Sequence, residues 1–205
     1  MNSYISIAFA FYHWLWSIFG IIFYGNPSKQ MTVIGITGTN GKSTVVDLTT
    51  KIFEEAGFKV ASISSLRMKI GNKEWKNELK MTMPGRAYIQ KFLKGAKNQG
   101  ATHAVLEVTS EGIRQFRHGG IDFDAVAMTN LTPEHIESHG SFEKYRKAKE
   151  KLFEALSNSE KSKRIAVING DDPNAGHFLK YEADEKWIYT KNPKSEILNP
   201  KQIQN

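Results

Sequence analysis

A glycine-rich loop that ends in lysine, serine and threonine is the segment of this sequence best suited to chemistry. It reads Gly38-Thr39-Asn40-Gly41-Lys42-Ser43-Thr44. Glycines in such a loop let backbone N–H groups close around phosphate oxygens, because no side chain stands in the way. Lys42 can then reach the β- and γ-phosphates, Ser43 can ligate Mg²⁺, and the following helix adds its positive N-terminal end. The pattern predicts a loop that binds nucleotide phosphates.

The loop is shorter than the common phosphate-binding pattern G-x-x-x-x-G-K-[ST]. That pattern needs glycine at position 36, which is Ile36 here, and the nearest glycine is Gly35. The apolar run before the loop and the helical pattern after it still favour a phosphate site over an ordinary Gly-Asn turn. The sequence therefore predicts a shortened variant of the loop.

Three further polar segments each follow an apolar, strand-like run. The first contains Glu107 and Ser110, the second Asn130 and His135, and the third Asn169. The carboxyl ends of parallel strands meet at one edge of a sheet, where open α/β sheets bind ligands. A carboxylate at that edge can hold Mg²⁺, which prefers oxygen ligands and shares them with phosphates. Glu107 is therefore a candidate metal ligand.

Taken singly, most such residues have an ordinary explanation. A Glu at a strand end or a lone His on a loop is more often a solvated surface residue, and His139 is open to the same interpretation. Lys149 is one of several lysines on a predicted helix, whose stems cover surface while the charges stay in water. Asp171 and Asp172 suit a helix N-cap and first turn equally well. A functional interpretation depends on their combination.

Short apolar runs alternate with helical patterns along most of the chain. Short buried strands separated by helices of about 10 to 15 residues indicate a parallel sheet covered on both faces. The predicted fold is α/β: a P-loop-type, mostly parallel sheet with helices on both faces, preceded by an apolar N-terminal helix. Strands are predicted at residues 31–37, 59–64, 103–108, 124–129, 164–169 and 186–189, and helices at 43–56, 86–99, 142–156 and 174–181.

The predicted domains are an apolar N-terminal helix at 1–27, a central domain at 28–190 and a polar tail at 191–205, which we expect to be truncated. Residues 4–24 contain no charged side chain, and a run of about 20 such residues can cross a bilayer as a helix. Its polar residues share one stripe of a helix, so a spanning helix, an interfacial helix and a helix packed on the domain all remain open. If it spans, the lysines from Lys29 onward place the rest of the chain in the cytoplasm, against the inner face of the membrane.

Composition narrows the classes of protein. The chain has 205 residues, enough for one sizeable α/β domain, and no cysteine, which excludes disulfides, thiolate zinc sites and thiol nucleophiles. Such a chain fits a reducing cytoplasm. Its net charge of +7 comes from basic residues scattered among acidic ones, which favours a solvated lysine-rich surface over a nucleic-acid site.

Residues 37–43 resemble the loop of the Mur ligases, ATP-dependent enzymes that add amino acids to UDP-N-acetylmuramoyl peptides during peptidoglycan synthesis. The resemblance extends from about Val33 to Asp172, with later motifs in the expected order, and is closest to the tripeptide-synthetase branch. The related folylpolyglutamate synthetases usually carry an additional Gly after the loop lysine, where Ser43 stands here. That difference favours the cell-wall branch.

The resemblance implies ATP and Mg²⁺ as cofactors and assigns roles around the loop. Ser43, Glu107 and His135 are the implied Mg²⁺ ligands, Asn130 lies near the phosphates and Asn169 near the adenine. The implied catalytic residues are Lys42, His135 and Lys149, the last matching a lysine that most of the family carbamylates. The implied nucleotide-binding residues are Gly38, Thr39, Asn40, Gly41, Lys42, Ser43, Thr44, Asn130 and Asn169.

Substrate contacts are implied for Thr82, Ser110 and Arg117, with Arg114 as a close competitor of Arg117. The sequence departs from the family pattern at three places. Met83 replaces a threonine after Thr82, Glu111 replaces a histidine after Ser110, and Glu134 replaces an aspartate before His135.

The family reaction transfers the γ-phosphate of ATP to a substrate carboxylate, and an amine then attacks the acyl phosphate. Family members also carry a C-terminal domain for the incoming amino acid and usually an N-terminal domain for the UDP group. Too few residues follow Asp172 for a domain of typical size. We therefore expect a truncated reading frame or one piece of a split enzyme, whose partners are the UDP-N-acetylmuramoyl peptide, an amino acid and a separate C-terminal domain or chain.

Two other hypotheses remain open. The chain could be a non-catalytic, membrane-associated nucleotide-binding module, which needs the loop but no acceptor site. It could also be a folylpolyglutamate-synthetase-like ligase, which shares the ATP chemistry and needs a different acceptor pocket.

Overall fold

A computed structural model describes residues 23–79, 81–134 and 139–191. Within this part of the chain, the strands form one eight-stranded sheet in the order β4-β3-β2-β5-β1-β6-β7-β8. Neighbours from β2 to β8 pair in parallel, whereas β3 and β4 add an antiparallel hairpin at one edge. The strands are β1 (Thr32–Thr37), β2 (Val60–Ile63), β3 (Arg67–Ile70), β4 (Lys73–Lys76), β5 (His103–Glu107), β6 (Ala125–Met128), β7 (Ile165–Asn169) and β8 (Glu185–Tyr189).

Helices cover both faces of the sheet. They are α1 (Lys42–Glu55), α2 (Arg86–Asn98), α3 (Ser110–Arg114), α4 (Phe142–Ser157) and α5 (Ala175–Leu179), after a 3-10 helix at Pro27–Gln30. The predicted α/β fold, a mostly parallel sheet between helices, is thus confirmed.

Alternating residues of the central strand β1 divide the core in two. Ile34 and Ile36 pack with Val46 of α1 on one face. Val33 points to the other face and joins the larger cluster that contains Leu152 of α4. This period of two is the expected geometry of a strand, and it explains why a strand buried on both faces reads as a continuous apolar run.

The hairpin of β3 and β4 was not predicted. Met68 and Ile70 are the buried residues of β3, and all four residues of β4 are exposed. All the remaining positions except Trp75 carry charged residues, as is common at sheet edges, where charges oppose pairing with other chains. The five-residue helix α3 was also not predicted, and α5 is shorter than the predicted helix at 174–181.

The segment around residues 26–28 packs against the domain. Ser28 is fully buried, and its hydroxyl oxygen accepts a hydrogen bond from Asp122 N at 3.0 Å. The side chain of Asn26 donates to Asp122 Oδ2 at 3.0 Å. This segment therefore fixes the entry of the chain to the sheet.

Most of the predicted N-terminal helix, residues 1–22, and residues 192–205 of the predicted tail lie outside the described residues, so both remain predictions. None of the helices within the described ranges is long and apolar enough to cross a membrane.

Candidate functional site

The glycine-rich loop runs from the carboxyl end of β1 to the first residue of α1. Gly41 has φ 79° and immediately precedes the helix. Gly38 has φ 149°, and a Cβ on it would overlap the hydroxyl oxygen of Thr129, the residue after β6. Both conformations favour glycine. The loop thus packs directly against the segment that follows β6.

Asn130 holds the loop through three hydrogen bonds. Its backbone oxygen accepts from Thr39 N at 2.8 Å. Its side chain accepts from Asn40 N at 2.9 Å and donates to Asn40 O at 3.1 Å. The first N–H groups of a helix have no intrahelical acceptor, so the start of α1 offers its donors to phosphate oxygens. Through its three hydrogen bonds, Asn130 helps to fix the conformation of the loop.

Glu107 and Ser43 meet at this edge of the sheet. Glu107 ends β5 and is 3% exposed, and its Oε2 accepts from Ser43 Oγ at 2.7 Å and from Ser65 N at 2.8 Å. A buried carboxylate needs such donors, because leaving its charge without partners is costly. The Ser65 hydroxyl also lies 2.7 Å from that of Ser43. Ser65 contributes largely through its backbone N–H. Because nearly every residue type has this group, the sequence alone does not predict the role.

The oxygen atoms of Ser43 and Glu107 fit Mg²⁺, which takes one or two carboxylates and completes its shell with water and phosphate oxygens. The described residues contain no cluster of three or more His, Cys, Asp or Glu side chains that could hold a metal. A magnesium site shared with a nucleotide does not need one. His135, the third predicted ligand, lies outside the described residues.

Two lysines converge on the loop from different sides. Lys42 Nζ donates to Thr39 O at 2.7 Å, and burial lowers its pKa, partly offset by Glu107 and Glu134. Lys149 Nζ donates to Gly38 O at 2.6 Å, and this side chain is 1% exposed. Burial, and then the nearby charge of Lys42, lower the pKa of Lys149 to about 7. A sizeable fraction of Lys149 is thus a neutral amine near pH 7.

Tyr145 is the main site residue that the sequence did not reveal. It is 1% exposed, and its hydroxyl lies 3.2 Å from Thr39 Oγ1. Its ring centroid is 4.6 Å from Lys149 Nζ. The signal that was available is its spacing, because residues four apart on a helix share one face.

Asn169 and Asp172 support the segment after β6. Asn169 donates to Thr129 O at 2.9 Å, and Tyr189 donates to the same oxygen at 3.0 Å. Asp172 Oδ2 accepts from Leu131 N at 2.5 Å. The ends of β7 and β8 thus hold the residues against which the loop packs, and a role for Asn169 near the adenine remains a prediction.

The predicted substrate residues fall into two groups. Arg117 contacts the backbone oxygen of Met83 and donates to Gln115 Oε1 at 2.5 Å, so it lies beside the segment that contains Thr82. Ser110 begins α3, and its hydroxyl lies 3.1 Å from His139 Nε2.

Arg114 instead pairs with Glu111 at 3.6 Å on the surface. Met83 is buried in the core, which explains why an apolar residue replaces the expected threonine there.

Two sizeable clefts in the described ranges lie away from this edge. One of about 550 Å³ is lined by residues such as Glu54, Lys59 and Gln99, and one of about 500 Å³ by Asp122 and Glu154 among others. Neither includes a loop residue. The convergence of Lys42, Ser43, Glu107 and Lys149, rather than cleft size, therefore identifies the candidate site.

Comparison with known proteins agrees with this geometry. The model of the Mur ligase middle domain matches residues 36–205. A UDP-N-acetylmuramoyl-L-alanyl-D-glutamate–2,6-diaminopimelate ligase of Halalkalibacterium halodurans is 39% identical over 156 residues, covering 76% of this chain and 32% of that protein. A UDP-N-acetylmuramyl-tripeptide synthetase of a Roseiflexus species is 36% identical over 165 residues, covering 77% of this chain and 32% of that protein. The chain thus spans about a third of the length of these curated relatives.

Solved structures of related ligases have a similar fold. A structure of UDP-N-acetylmuramoyl-L-alanyl-D-glutamate–2,6-diaminopimelate ligase superposes with a TM-score of 0.67 at 29% identity, over 78% of this chain and 31% of that one. The Mycobacterium tuberculosis folylpolyglutamate synthase, complexed with ADP and AMPPCP, superposes with a TM-score of 0.65 at 15% identity, over 83% of this chain and 45% of that one. The second likeness shows a shared fold. The extent of the domain match and the identity to these relatives show that the chain belongs to the Mur ligase family and carries its middle domain.

Proposed function

We propose that this chain supplies the ATP-binding and carboxylate-activating part of a ligase that adds an amino acid to a UDP-N-acetylmuramoyl peptide. The observation that carries the proposal is the contact of Ser43 with buried Glu107 beside the glycine-rich loop. It joins a phosphate-binding loop to a carboxylate, the pair that a nucleotide–magnesium complex requires.

The chemistry follows from the charges that must meet. Transfer of the γ-phosphate to a carboxylate brings two anions together, so positive charge is needed at the phosphates. Lys42 supplies it from the loop, and the N-terminus of α1 adds its partial charge. The acyl phosphate that forms, with release of ADP, is then open to attack by an amine, which releases phosphate and leaves an amide.

Ser43 and Glu107 would hold Mg²⁺, and His135 remains a proposed third ligand. When bound, the ion neutralises phosphate charge and orients the phosphate oxygens. Glu107 already accepts from Ser43 and Ser65 N, so its orientation is fixed in the protein itself. The pair therefore needs little rearrangement to receive the ion.

Lys149 is proposed to be carbamylated. Only a neutral amine reacts with CO₂, and the pKa of Lys149 near 7 makes that form available at neutral pH. The product carries a negative charge, which would also relieve the repulsion between Lys149 and Lys42.

Thr82, Ser110 and Arg117 are proposed to face the muramoyl peptide. In support, Ser110 follows Glu107 closely in the chain and starts the helix after β5. The absence of cysteine from the sequence fits a reducing cytoplasm, where we propose that the reaction takes place.

An ADP-release assay tests the proposal. The chain is incubated with ATP, Mg²⁺, UDP-N-acetylmuramoyl-L-alanyl-D-glutamate and a panel of amino acids, and ADP and the nucleotide-sugar product are measured by chromatography and mass spectrometry. We expect ADP release that depends on the acceptor. No ADP in any mixture would contradict catalysis by this chain alone.

Variants of α1 separate catalysis from simple nucleotide binding. Lys42→Ala should abolish ADP release and weaken nucleotide binding, whereas Lys51→Ala, an exposed lysine on the same helix, should change neither. Nucleotide binding that survives Lys42→Ala would contradict the role of the loop. ADP release with a folate acceptor and none with the muramoyl dipeptide would favour the folylpolyglutamate-type alternative.

A further inference from the structure

Helix α4 reaches the glycine-rich loop with two side chains one turn apart. Lys149 Nζ donates to Gly38 O at 2.6 Å, and the Tyr145 hydroxyl lies 3.2 Å from Thr39 Oγ1. Residues four apart on a helix lie on the same face. Consecutive residues of the loop are thus held by successive turns of one helix.

The Thr39 side chain is the centre of a small buried network. It is 6% exposed, and its Oγ1 accepts from Thr132 N at 3.0 Å and lies 3.3 Å from Thr132 O. A hydroxyl offers one donor and two acceptor positions. If Thr39 donates to Thr132 O, the Tyr145 hydroxyl donates to Thr39 and all three positions are filled.

This network extends to the phosphate-binding lysine. Thr39 O accepts from Lys42 Nζ at 2.7 Å. A shift of Thr39 would therefore move the carbonyl that orients the Lys42 ammonium group. Tyr145 is thus linked to Lys42 through Thr39, because its hydroxyl contacts the threonine hydroxyl.

The ring of Tyr145 contacts a second group of the site, the Lys149 amine. Its centroid lies 4.6 Å from Lys149 Nζ, within the range of a cation–π contact. The ring of His139 packs edge-on against Tyr145 at a centroid distance of 5.1 Å and helps to hold the tyrosine ring in place. Among the described residues, the charged groups around Lys149 are Lys42, Glu107 and Glu134. In the uncarbamylated chain, the tyrosine ring thus favours the ammonium form of Lys149, which burial and the charge of Lys42 disfavour.

We infer that Tyr145 is a positioning residue of this site: its hydroxyl fixes Thr39 in the loop, and its ring fixes the Lys149 side chain. This inference rests on the proposed function for its relevance to ATP. It assigns one role to the hydroxyl and another to the ring, and substitutions that remove the hydroxyl alone or the whole ring separate the two.

Nucleotide affinity tests the role of the hydroxyl. Tyr145→Phe keeps the ring and removes the hydroxyl, so the affinity for the ATP analogue AMPPCP with Mg²⁺ should fall about fivefold, the loss typical of one buried hydrogen bond. In a Thr39→Val background the same change should cost little further affinity, because the partner is already gone. Calorimetric titration measures all four chains, with Tyr88→Phe, a half-exposed tyrosine on α2, as the control that should bind normally.

The Lys149 titration tests the role of the ring. Chains with ¹³C-labelled lysine are titrated by NMR in CO₂-free buffer, and Lys149→Gln assigns the resonance. We expect Tyr145→Phe to leave the midpoint unchanged and Tyr145→Leu to lower it by about one pH unit, since a desolvated cation–π contact favours the ammonium form. Circular dichroism checks that each variant is folded.

Each half of the inference can fail separately. Unchanged AMPPCP affinity in Tyr145→Phe, or fully additive losses with Thr39→Val, would overturn the role of the hydroxyl. An unchanged Lys149 midpoint in Tyr145→Leu would overturn the role of the ring. If the unaltered chain binds no AMPPCP, the proposed function fails together with the hydroxyl's role, while the Lys149 titration still decides the role of the ring.

Discussion

At the scale of single residues, the site depends on buried charges with few but specific partners. Within the described ranges, Glu107 accepts hydrogen bonds from a hydroxyl and a backbone N–H, and Lys149 contacts a carbonyl and an aromatic face. Both groups are desolvated, so their interactions are stronger than on the surface and their loss is more costly. Substitutions here should change ligand binding and pH dependence in ways that exposed charges do not.

Glu107→Gln should uncouple nucleotide binding from Mg²⁺. The amide keeps the shape of the side chain but removes the negative charge that a divalent ion needs. We expect AMPPCP affinity in the presence of a chelator to stay within about twofold, and the gain on adding Mg²⁺ to fall about tenfold, in line with loss of a charge-assisted contact. Titration calorimetry with and without Mg²⁺ measures this. Glu111→Gln on the surface is the control, and a full Mg²⁺ gain in Glu107→Gln would contradict the assignment.

The lowered pKa of Lys149 predicts that the stability of the folded chain depends on pH. Its pKa falls from 10.5 to about 7 in the folded chain, so the unfolded chain binds the additional proton between these values. The free energy of unfolding should therefore rise with pH above about 7, relative to a variant that does not titrate there. Below pH 7 both states are protonated and the penalty is fully present.

Lys149→Met provides that comparison. Between pH 7 and pH 9 the original chain should gain on the order of 2 kcal/mol relative to Lys149→Met, as measured by urea unfolding. Lys147→Met, an exposed lysine on the same helix, should run parallel to the original chain. A constant difference between the original chain and Lys149→Met across this range would contradict the lowered pKa.

At the scale of elements, the loop is defined by how closely β1, α1 and the residues after β6 approach each other. Gly38 is the point of closest approach, because the hydroxyl of Thr129 occupies the space of a Cβ. Thr129 in turn donates to Asn40 O at 2.7 Å. The turn is therefore set by packing between elements as well as by its own glycines.

Gly38→Ala should destabilise the chain by about 2 kcal/mol and weaken AMPPCP binding, because the new methyl group overlaps Thr129 in a backbone conformation suited to glycine. Adding Thr129→Ala should recover part of the stability. Gly95→Ala, in the interior of α2 with open space around it, should instead stabilise by roughly 0.5–1 kcal/mol. Chemical denaturation measures these changes, and a neutral Gly38→Ala would contradict the close contact.

The sequence predicted the central elements well because they are apolar on both faces or strictly amphipathic. β1, β5 and β6 are short buried strands of a parallel sheet, where apolar runs are the expected signal. β3 and β4 were not predicted, because half or more of their residues are charged, so that neither strand is an apolar run.

The candidate site shows a similar division. Ser43 and Glu107 are expected near one another, because the loop before Ser43 follows one strand and Glu107 ends another at the same edge of the sheet, and the structure places them in contact. Thr129 and Ser65 could not be predicted, because each acts through a hydroxyl or backbone group that depends on packing between distant segments. For Tyr145 the sequence offers only its spacing of four residues from Lys149, and its contact with Thr39 also depends on such packing.

At the scale of the whole molecule, one sheet edge gathers the ends of β1, β2, β5, β6 and β7 around the loop. Parallel pairing brings these ends together, and helices on both faces hold them there. The chain spans about a third of the length of its curated relatives and matches the Mur ligase middle domain, and carboxylate activation with ATP is the function that we propose for this part.

The most direct test of that central claim follows the carboxylate oxygen. The acceptor UDP-N-acetylmuramoyl dipeptide is prepared with ¹⁸O in its terminal carboxylate and incubated with the chain, ATP, Mg²⁺ and amino acids. If an acyl phosphate forms and an amine displaces phosphate from it, each phosphate released carries one ¹⁸O atom, which mass spectrometry detects. Release of phosphate that carries only unlabelled oxygen would contradict carboxylate activation.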